Sequence, residues 1–211
     1  MSRIGQLLHL LPSGRHDRAV AAELDLRVPL PVVRRVAFAA LAGGTGCSTA
    51  AARVAATLAA RRPGGVLLTQ AGAEESRRGE QPRRTHELTL TDWGVRALPE
   101  LSAVAAESHL VCLTTTIERV AVQRALDAAA FLQASGTPTI LVASALRGRP
   151  TVGARRMLAS SPIPLHLLPH DPTARRLEST GVSDATAFAL AELGAAIVRA
   201  GAGARTPVGV A

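Results

Sequence analysis

The stretch that decides the fold is residues 42–49, which read AGGTGCST. An apolar run at residues 32–41 precedes it and predicts a buried strand, and the alanine-rich residues 49–61 after it predict a helix. Glycines between a strand and a helix let backbone N–H groups converge on an anion, and the helix N-terminus attracts the same charge. A serine or threonine at the start of the helix is suited to bind Mg²⁺. The sequence therefore predicts a phosphate-binding loop at this point.

Outward from this loop, apolar runs and helix-like stretches alternate along the chain. Further strands are predicted at residues 66–69, 88–91, 110–114, 140–144 and 163–168, and further helices at residues 96–107, 117–135, 151–160 and 184–200. Short apolar strands that alternate with helices are typical of a parallel sheet covered on both faces. We predict a three-layer α/β/α fold with a mostly parallel sheet of six or seven strands. Such folds bind ligands at the carboxyl ends of the strands.

The chain divides by pattern into one main domain with two flanking segments. Residues 1–32 are predicted to form an N-terminal extension, in which Ile4, Leu7, Leu8 and Leu11 share one helical face before a break at residues 12–14. Residues 33–200 are predicted to form the main domain, and residues 201–211 a flexible tail.

The composition excludes several functions. All 24 basic residues of this 211-residue chain are arginines and its net charge is +8, so no mechanism that needs a lysine is possible. Three Phe, one Trp and no Tyr leave almost no rings for stacking on nucleic-acid bases. Two cysteines form neither a disulfide framework nor a metal cluster. No apolar run reaches the roughly 18 residues that cross a bilayer, and we expect a cytoplasmic protein.

The glycine-rich stretch resembles a known motif. GGTGCST, placed after an apolar strand and before an alanine-rich helix, resembles the deviant Walker A motif of the MinD/ParA ATPases. Residues 66–68, 90–92, 110–116 and 169–172 resemble their second strand, their Walker B strand, their next strand and helix, and the segment near the nucleotide base. Residues 27–35 also resemble the lead-in of the MinD-like ATPases found with type VII secretion in actinobacteria.

The resemblance covers residues 33–200 and leads to expectations about the fold, the cofactors and the binding residues. It implies the P-loop NTPase fold, the cofactors ATP and Mg²⁺, and dimerisation across the nucleotide face. The nucleotide is expected to contact the loop and the base-binding segments, through Gly43, Gly44, Thr45, Gly46, Cys47, Ser48, Thr49, Ser144, His170 and Asp171.

Metal binding and catalysis are assigned to fewer residues. Ser48 and Asp92 are the predicted metal-binding residues, and Asp92 and Gln70 are the candidate catalytic residues, with Gln70 placed to orient a water molecule. Each has an alternative. Ser48 is otherwise a helix N-cap, Asp92 a capping carboxylate at a strand end, and His170 and Asp171 are otherwise loop-capping residues.

The departures from the family pattern predict a weakened site. Ala42 and Cys47 stand where the family has its signature and P-loop lysines, Gln70 and Gly72 where it has acidic residues, and Ser144 where it has the base-recognising asparagine. One lost charge-assisted bond weakens triphosphate binding by roughly 10- to 150-fold. Hydrolysis suffers more, because the transition state carries the charge that lysines and metal stabilise. We predict a nucleotide-binding protein with weak or absent ATP hydrolysis in a positioning, partitioning or secretion-associated regulatory role.

Several side chains near the loop have open roles. Cys47 at a helix N-terminus is expected to have a lowered thiol pKa, as a redox sensor or as an inert small filler. Trp93 either faces a partner or packs under the sheet edge. Four arginines lie between the predicted second and third strands, Arg77, Arg78, Arg83 and Arg84. Either one of them replaces a lost lysine or they form a solvated charge run.

Two other functions stay open at this level. The chain is alternatively a nucleotide-independent scaffold that binds an active relative or a secretion or division component, as a homodimer or a heterodimer. It is alternatively a partition-type protein that binds DNA non-specifically through its six arginine pairs. The apolar faces of residues 4–11 and of Phe188, Leu190, Leu193 and Ile197 either contact a membrane or partner or pack onto the body.

Overall fold

A parallel sheet with helices on both faces organises the molecule. The computed structural model describes residues 14–71, 86–148, 151–172 and 182–203. Within them the strands are β1 (Arg34–Ala40), β2 (Val66–Gln70), β3 (Leu88–Val95), β4 (Leu110–Thr116), β5 (Thr139–Ser144) and β6 (Leu165–Leu168). The helices are α1 (Gly14–Asp25), α2 (Cys47–Ala59), α3 (Leu101–Ala106), α4 (Arg119–Ala134), α5 (Val152–Ala159) and α6 (Asp184–Gly203). The predicted three-layer α/β fold is confirmed.

The sheet has the strand order β2-β3-β1-β4-β5-β6, and every neighbouring pair is parallel. β1 lies inside it between β3 and β4, and five of its seven residues form a continuous buried run from Val36 to Ala40. Such a run is what a strand covered on both faces requires. The loop after β1 therefore leaves the sheet at the middle of its carboxyl edge, where ligands bind in open α/β folds.

Alternation along the strands separates two hydrophobic cores. Val36, Phe38 and Ala40 face the core shared with α2 and α6, and Ala37 and Ala39 face the core shared with α3 and α4. With only three Phe and one Trp in the chain, both cores are built mainly from Ala, Val, Leu and Ile. The predicted helix at 96–107 is shorter than expected and begins with a 3₁₀ turn at Leu98–Glu100.

Helix α1 lies within the predicted N-terminal extension and packs against α6. Ala22 and Leu26 belong to the same core as α2, and both are almost fully buried. A Cβ placed on Gly194 of α6 would lie 2.9 Å from Cδ2 of Leu26, so glycine permits the close approach of the two segments. The apolar face at residues 4–11 lies outside the described residues.

Hydrogen bonds from the buried side chain of Arg62 hold the segment after α1 in place. The Arg62 guanidinium donates hydrogen bonds to the carbonyl oxygens of Leu26 (2.7 Å) and Val28 (2.9 Å) and to the Glu87 carboxylate. Glu87 in turn accepts a hydrogen bond from the Leu30 backbone N–H over 2.9 Å. Because the Arg62 side chain is only 2% exposed, these bonds replace part of the solvation that the guanidinium loses, while its buried Nε has no hydrogen-bond partner among the described residues.

Helix α6 is long and apolar enough to span a membrane by length and composition alone. More than half of that stretch is buried inside the fold, however, and Leu190, Leu193 and Ile197 lie in the core. Phe188 is half-buried beneath the guanidinium groups of Arg15 and Arg18, whose Cζ atoms are 5.2 and 5.4 Å from the ring centroid. The interpretation that this face packs onto the body is confirmed for these residues.

Candidate functional site

The glycine-rich loop between β1 and α2 presents an open backbone surface. Gly44 and Gly46 have φ angles of 73° and 83°, which favour glycine. A Cβ placed on Gly43 or Gly44 would meet no atom within 4 Å, and both residues are exposed. The outer side of the loop is therefore free to receive a ligand.

The inner side of the loop is anchored by Thr45. This side chain is buried, and its Oγ1 lies 3.2 Å from Oγ1 of Thr114 on β4. Thr114 in turn donates a hydrogen bond to the Ala39 carbonyl oxygen over 3.1 Å. The Thr45 side chain is thus occupied by the protein, and only its backbone is available to a nucleotide.

Cys47 points into the protein from the first position of α2. It is 8% exposed, and its thiol donates to Oδ1 of Asp92 over 3.6 Å. Burial, with a further contribution from the negative charge of Asp92, raises the pKa of Cys47 to about 11. The prediction of a lowered pKa from the helix N-terminus is therefore wrong, because loss of solvent outweighs the helix dipole. A neutral thiol occupies the position at which the resemblance implies a lysine.

Asp92 lies beneath the loop and inside β3. The strand continues to Val95, four residues beyond the predicted end at residue 91. Oδ1 of Asp92 also accepts a hydrogen bond from the Gly94 N–H over 2.9 Å, where Gly94 has a φ of 63°. The carboxylate is half-buried, so part of it remains open toward solvent. A metal-binding role for Asp92 stays a prediction.

Ser48 and Thr49 are exposed in the first turn of α2. The N-cap of this helix is Gly46 in the left-handed conformation, with the Ala50 N–H bonded to its carbonyl over 2.8 Å. The alternative interpretation of Ser48 as the N-cap is therefore wrong. Its exposed hydroxyl fits the predicted role of a Mg²⁺ ligand, since oxygen donors are what this ion requires.

A cavity of about 140 Å³ lies beside the loop and joins four separate parts of the chain, one of which is α6 with Thr186 and Leu190. Gly46 and Thr49 line it from α2, Ser144 from the end of β5, and His170 and Asp171 from the loop after β6. A Cβ on Gly46 would lie 3.5 Å from the Ser144 hydroxyl, so the loop and β5 approach closely here. Five of the residues predicted to contact the nucleotide are thus brought together.

Asp171 and His170 differ in their surroundings. Asp171 is 7% exposed, and its Oδ2 accepts a hydrogen bond from the Ser183 backbone N–H over 2.8 Å, just before α6 begins. Ser183 then caps α6 through its hydroxyl, which bonds the Thr186 N–H over 3.3 Å. Asp171 therefore fixes the wall of the cavity to α6, while His170 is exposed at its rim.

Gln70 is not brought into this cavity. It is exposed at the end of the edge strand β2, and β3 lies between it and β1. It lines instead a cavity of about 80 Å³ with Thr91 and Trp93. Trp93 is half-buried against the α3–α4 core, with the Arg96 guanidinium 5.5 Å from its ring centroid.

The arginine pairs are distributed over different environments. Arg34 and Arg62 are buried, and Arg61 is bonded to the Glu23 carboxylate over 2.8 Å, so none of the three is placed to contact DNA phosphates. The arginines at 77–78, 83–84 and 175–176 lie outside the described residues. In the part of the chain that the structure describes, no group of three or more His, Cys, Asp or Glu side chains could hold a metal ion.

The sequence analysis did not predict the one arginine that lines this cavity among the described residues. Arg53, in the second turn of α2, lines the cavity together with Thr49. The spacing of four residues from Thr49 places both on one helical face, and this was the signal that could have revealed it.

Comparison with solved structures identifies the fold. A plasmid partition protein from Borrelia burgdorferi, solved with bound AMPPNP, superposes with a TM-score of 0.58 at 14% identity over 80% of this chain and 99% of that one. A ParA family ATPase from Chlorobium tepidum TLS superposes with a TM-score of 0.51 at 15% identity over 77% and 91%. The chain has the ParA-like P-loop fold. No family model and no curated protein matches the sequence. Since the identities are low, the likeness establishes the fold of this ParA-like chain and not its activity.

Proposed function

We propose that this ParA-like chain is a nucleotide-binding protein whose degenerate P-loop binds ATP weakly and hydrolyses it slowly or not at all. The observation that carries the proposal is the open loop of Gly43 and Gly44 beside the cavity lined by Ser144 and Asp171. Backbone N–H groups and the α2 N-terminus attract a polyphosphate, and the cavity receives the base.

The charge of the loop limits the affinity. Ala42 carries no charge, and the Cys47 thiol is neutral because burial raises its pKa to about 11. Within the loop itself, the polyphosphate is left with backbone amides and, through Mg²⁺, the Ser48 hydroxyl. On the scale of about 1.5–3 kcal/mol for each lost charge-assisted bond, affinity falls roughly 10- to 150-fold for one missing lysine.

The arrangement disfavours hydrolysis further. Charge that develops in phosphoryl transfer needs cations and an oriented water molecule. Gln70, the candidate for orienting water, lines a different cavity from the one beside the loop. Binding without efficient turnover suits a regulatory component of a positioning, partitioning or secretion-associated system in the cytoplasm. The structural likeness to plasmid partition proteins supports this assignment.

The proposal is tested by calorimetric titration of the purified protein with ATP and Mg²⁺. We expect weak, Mg²⁺-dependent binding and no measurable turnover. The double variant Ala42→Lys/Cys47→Lys should bind at least 10-fold more tightly, because it restores two ammonium groups. Binding that is lost in Ser48→Ala supports the predicted metal ligand.

Two outcomes would refute the proposal. No binding of ATP at millimolar concentration, by the wild type or the double variant, would leave the nucleotide-independent scaffold as the remaining role. Rapid ATP turnover by the wild type, abolished by Ser48→Ala, would show that the loop is catalytically competent without lysine.

A further inference from the structure

The cavity beside the loop contains a cationic side chain that the P-loop resemblance does not supply. Arg53 lies one helical turn after Thr49 on α2, is half-buried, and lines the cavity together with Gly46 and Ser144. Its backbone carbonyl accepts a hydrogen bond from the Thr57 hydroxyl over 2.9 Å.

The charges around the cavity explain why a cation matters there. Asp171 contributes a buried carboxylate, already bonded to the Ser183 N–H. A nucleotide brings further negative charge, and like charges in a partly desolvated site repel strongly. The loop positions 42 and 47 are uncharged, so Arg53 supplies the positive charge among the described residues that line this cavity with Asp171.

We infer that Arg53 donates hydrogen bonds to an acceptor oxygen of the bound nucleotide and so replaces the lysines missing from the loop. The inference rests on the proposed nucleotide binding. The acceptor is either a phosphate oxygen or, in a guanine nucleotide, the O6 and N7 edge of the base, because a guanidinium fork fits both.

The test compares two charge-neutralising variants of equal chemistry. Arg53→Gln removes the proposed donor, and Arg124→Gln removes an exposed arginine from α4 on the opposite face of the sheet. Calorimetric titration with ATP and with GTP, each with Mg²⁺, should show that Arg53→Gln binds about 10- to 150-fold more weakly. Arg124→Gln should match the wild type within twofold, and thermal unfolding of all proteins checks that they fold.

Further ligands and a conservative variant distinguish the two acceptors. If Arg53 contacts phosphate, ATP, GTP and inorganic triphosphate all lose affinity in Arg53→Gln, and Arg53→Lys recovers most of it because a point charge suffices. If Arg53 contacts the guanine edge, the loss is confined to GTP, the affinities for ATP and inorganic triphosphate are unaffected, and Arg53→Lys recovers little. Either result supports the inference.

The inference fails if the wild type binds ATP or GTP and folded Arg53→Gln binds them equally well. Absence of binding by the wild type and by Ala42→Lys/Cys47→Lys alike would instead overturn the proposed function. The two failures are therefore distinguishable within one set of titrations.

Discussion

The Sγ atom of Cys47 lies 3.6 Å from Oδ1 of Asp92, so the first residue of α2 directs a thiol at a carboxylate beneath the loop. The contact is compatible with a protonated thiol, because the thiol is the donor. Burial raises the pKa of Cys47 to about 11, and this value has consequences for reactivity and for stability.

The first prediction concerns thiol reactivity. At pH 7 a group with a pKa near 11 is ionised in about one molecule in ten thousand, and the thiolate is the nucleophile. Iodoacetamide should therefore modify folded Cys47 far more slowly than a free cysteine, and the rate should rise up to about pH 11. Peptide mapping by mass spectrometry measures it, with protein unfolded in guanidinium as the control. Rapid modification of the folded protein at pH 7 would contradict the burial of this thiol.

The same shift makes stability depend on alkaline pH. Folded Cys47 holds its proton more tightly than the unfolded chain, whose thiol has a pKa near 9.0. The stabilisation is therefore fully present below about pH 9 and is lost as pH rises toward 11. Cys47→Ala should reduce the dependence of the urea midpoint on pH in this range to the part that buried Cys112 contributes, and an unchanged dependence would count against the shift.

The second prediction concerns the Arg62–Glu87 ion pair. Glu87→Gln leaves a guanidinium that is 2% exposed without its charged partner, and we expect a loss of about 3 kcal/mol in the free energy of unfolding. The matched control is Glu192→Gln, whose partner Arg18 is 65% exposed, and there the cost should stay below about 1 kcal/mol. Urea unfolding measures both, and equal costs would show that the buried pair is not stabilising.

The third prediction is the acid response of this pair. Burial raises the pKa of Glu87, but the hydrogen bonds from Arg62 and from the Leu30 N–H outweigh it and leave the pKa lowered. The stabilisation is thus present above the unfolded value near 4.5 and is lost as pH falls through the folded value. Stability of the wild type should fall in this acidic range more steeply than that of Glu87→Gln, measured by urea midpoints from pH 6 to pH 3.

The fourth prediction concerns the contact of α1 with α6. Gly194→Ala places a Cβ 2.9 Å from Cδ2 of Leu26 in the core and should cost about 1–3 kcal/mol. Gly153→Ala in α5 meets nothing within 4 Å and should be neutral or stabilising by up to about 1 kcal/mol. Adding Leu26→Ala to Gly194→Ala should cost less than the sum of the two single changes, because the clash is relieved. If the cost of the double variant equals the sum of the two single costs, the clash between the new Cβ and Leu26 does not occur.

The fifth prediction concerns the loop backbone. Gly46 has a φ of 83°, so Gly46→Ala should destabilise the protein by about 1–2 kcal/mol and disturb the wall shared with Ser144. Gly43 lacks a positive φ, and Gly43→Ala should leave stability unchanged. Differential scanning calorimetry compares the two variants, and an equal loss at both positions would show that the left-handed conformation is not what Gly46 supplies.

The sequence predicted the fold well because strand and helix periodicity is local. Continuous apolar runs such as β5 and the glycine-rich loop between β1 and α2 were recognisable without tertiary information. The predicted ends of helices and strands were less accurate where helix capping or strand pairing determines them. β3 runs three residues past Asp92 because its partner β1 continues alongside it to Ala40.

The sequence predicted the backbone of the candidate site better than it predicted the directions of the side chains there. The glycines predicted the open loop between β1 and α2, and the carboxyl ends of strands bring Ser144 and Asp171 near it. The direction of the Cys47 side chain depends on burial against Thr114 and Asp92, which no local pattern encodes. Arg53 was missed for a related reason, since its helical face is defined by the distant wall that Asp171 provides.

The low reactivity of the two native thiols also decides how the protein can be labelled with a fluorescent dye. Cys47 and Cys112 are both buried and unpaired, and burial raises the pKa of each well above that of an ordinary cysteine. Maleimide dyes will therefore not react with either thiol in the folded protein. A single cysteine introduced at the rim of the cavity, for example by His170→Cys, will carry the one fluorophore of the folded protein, and a change in its emission will test whether a ligand enters the cavity.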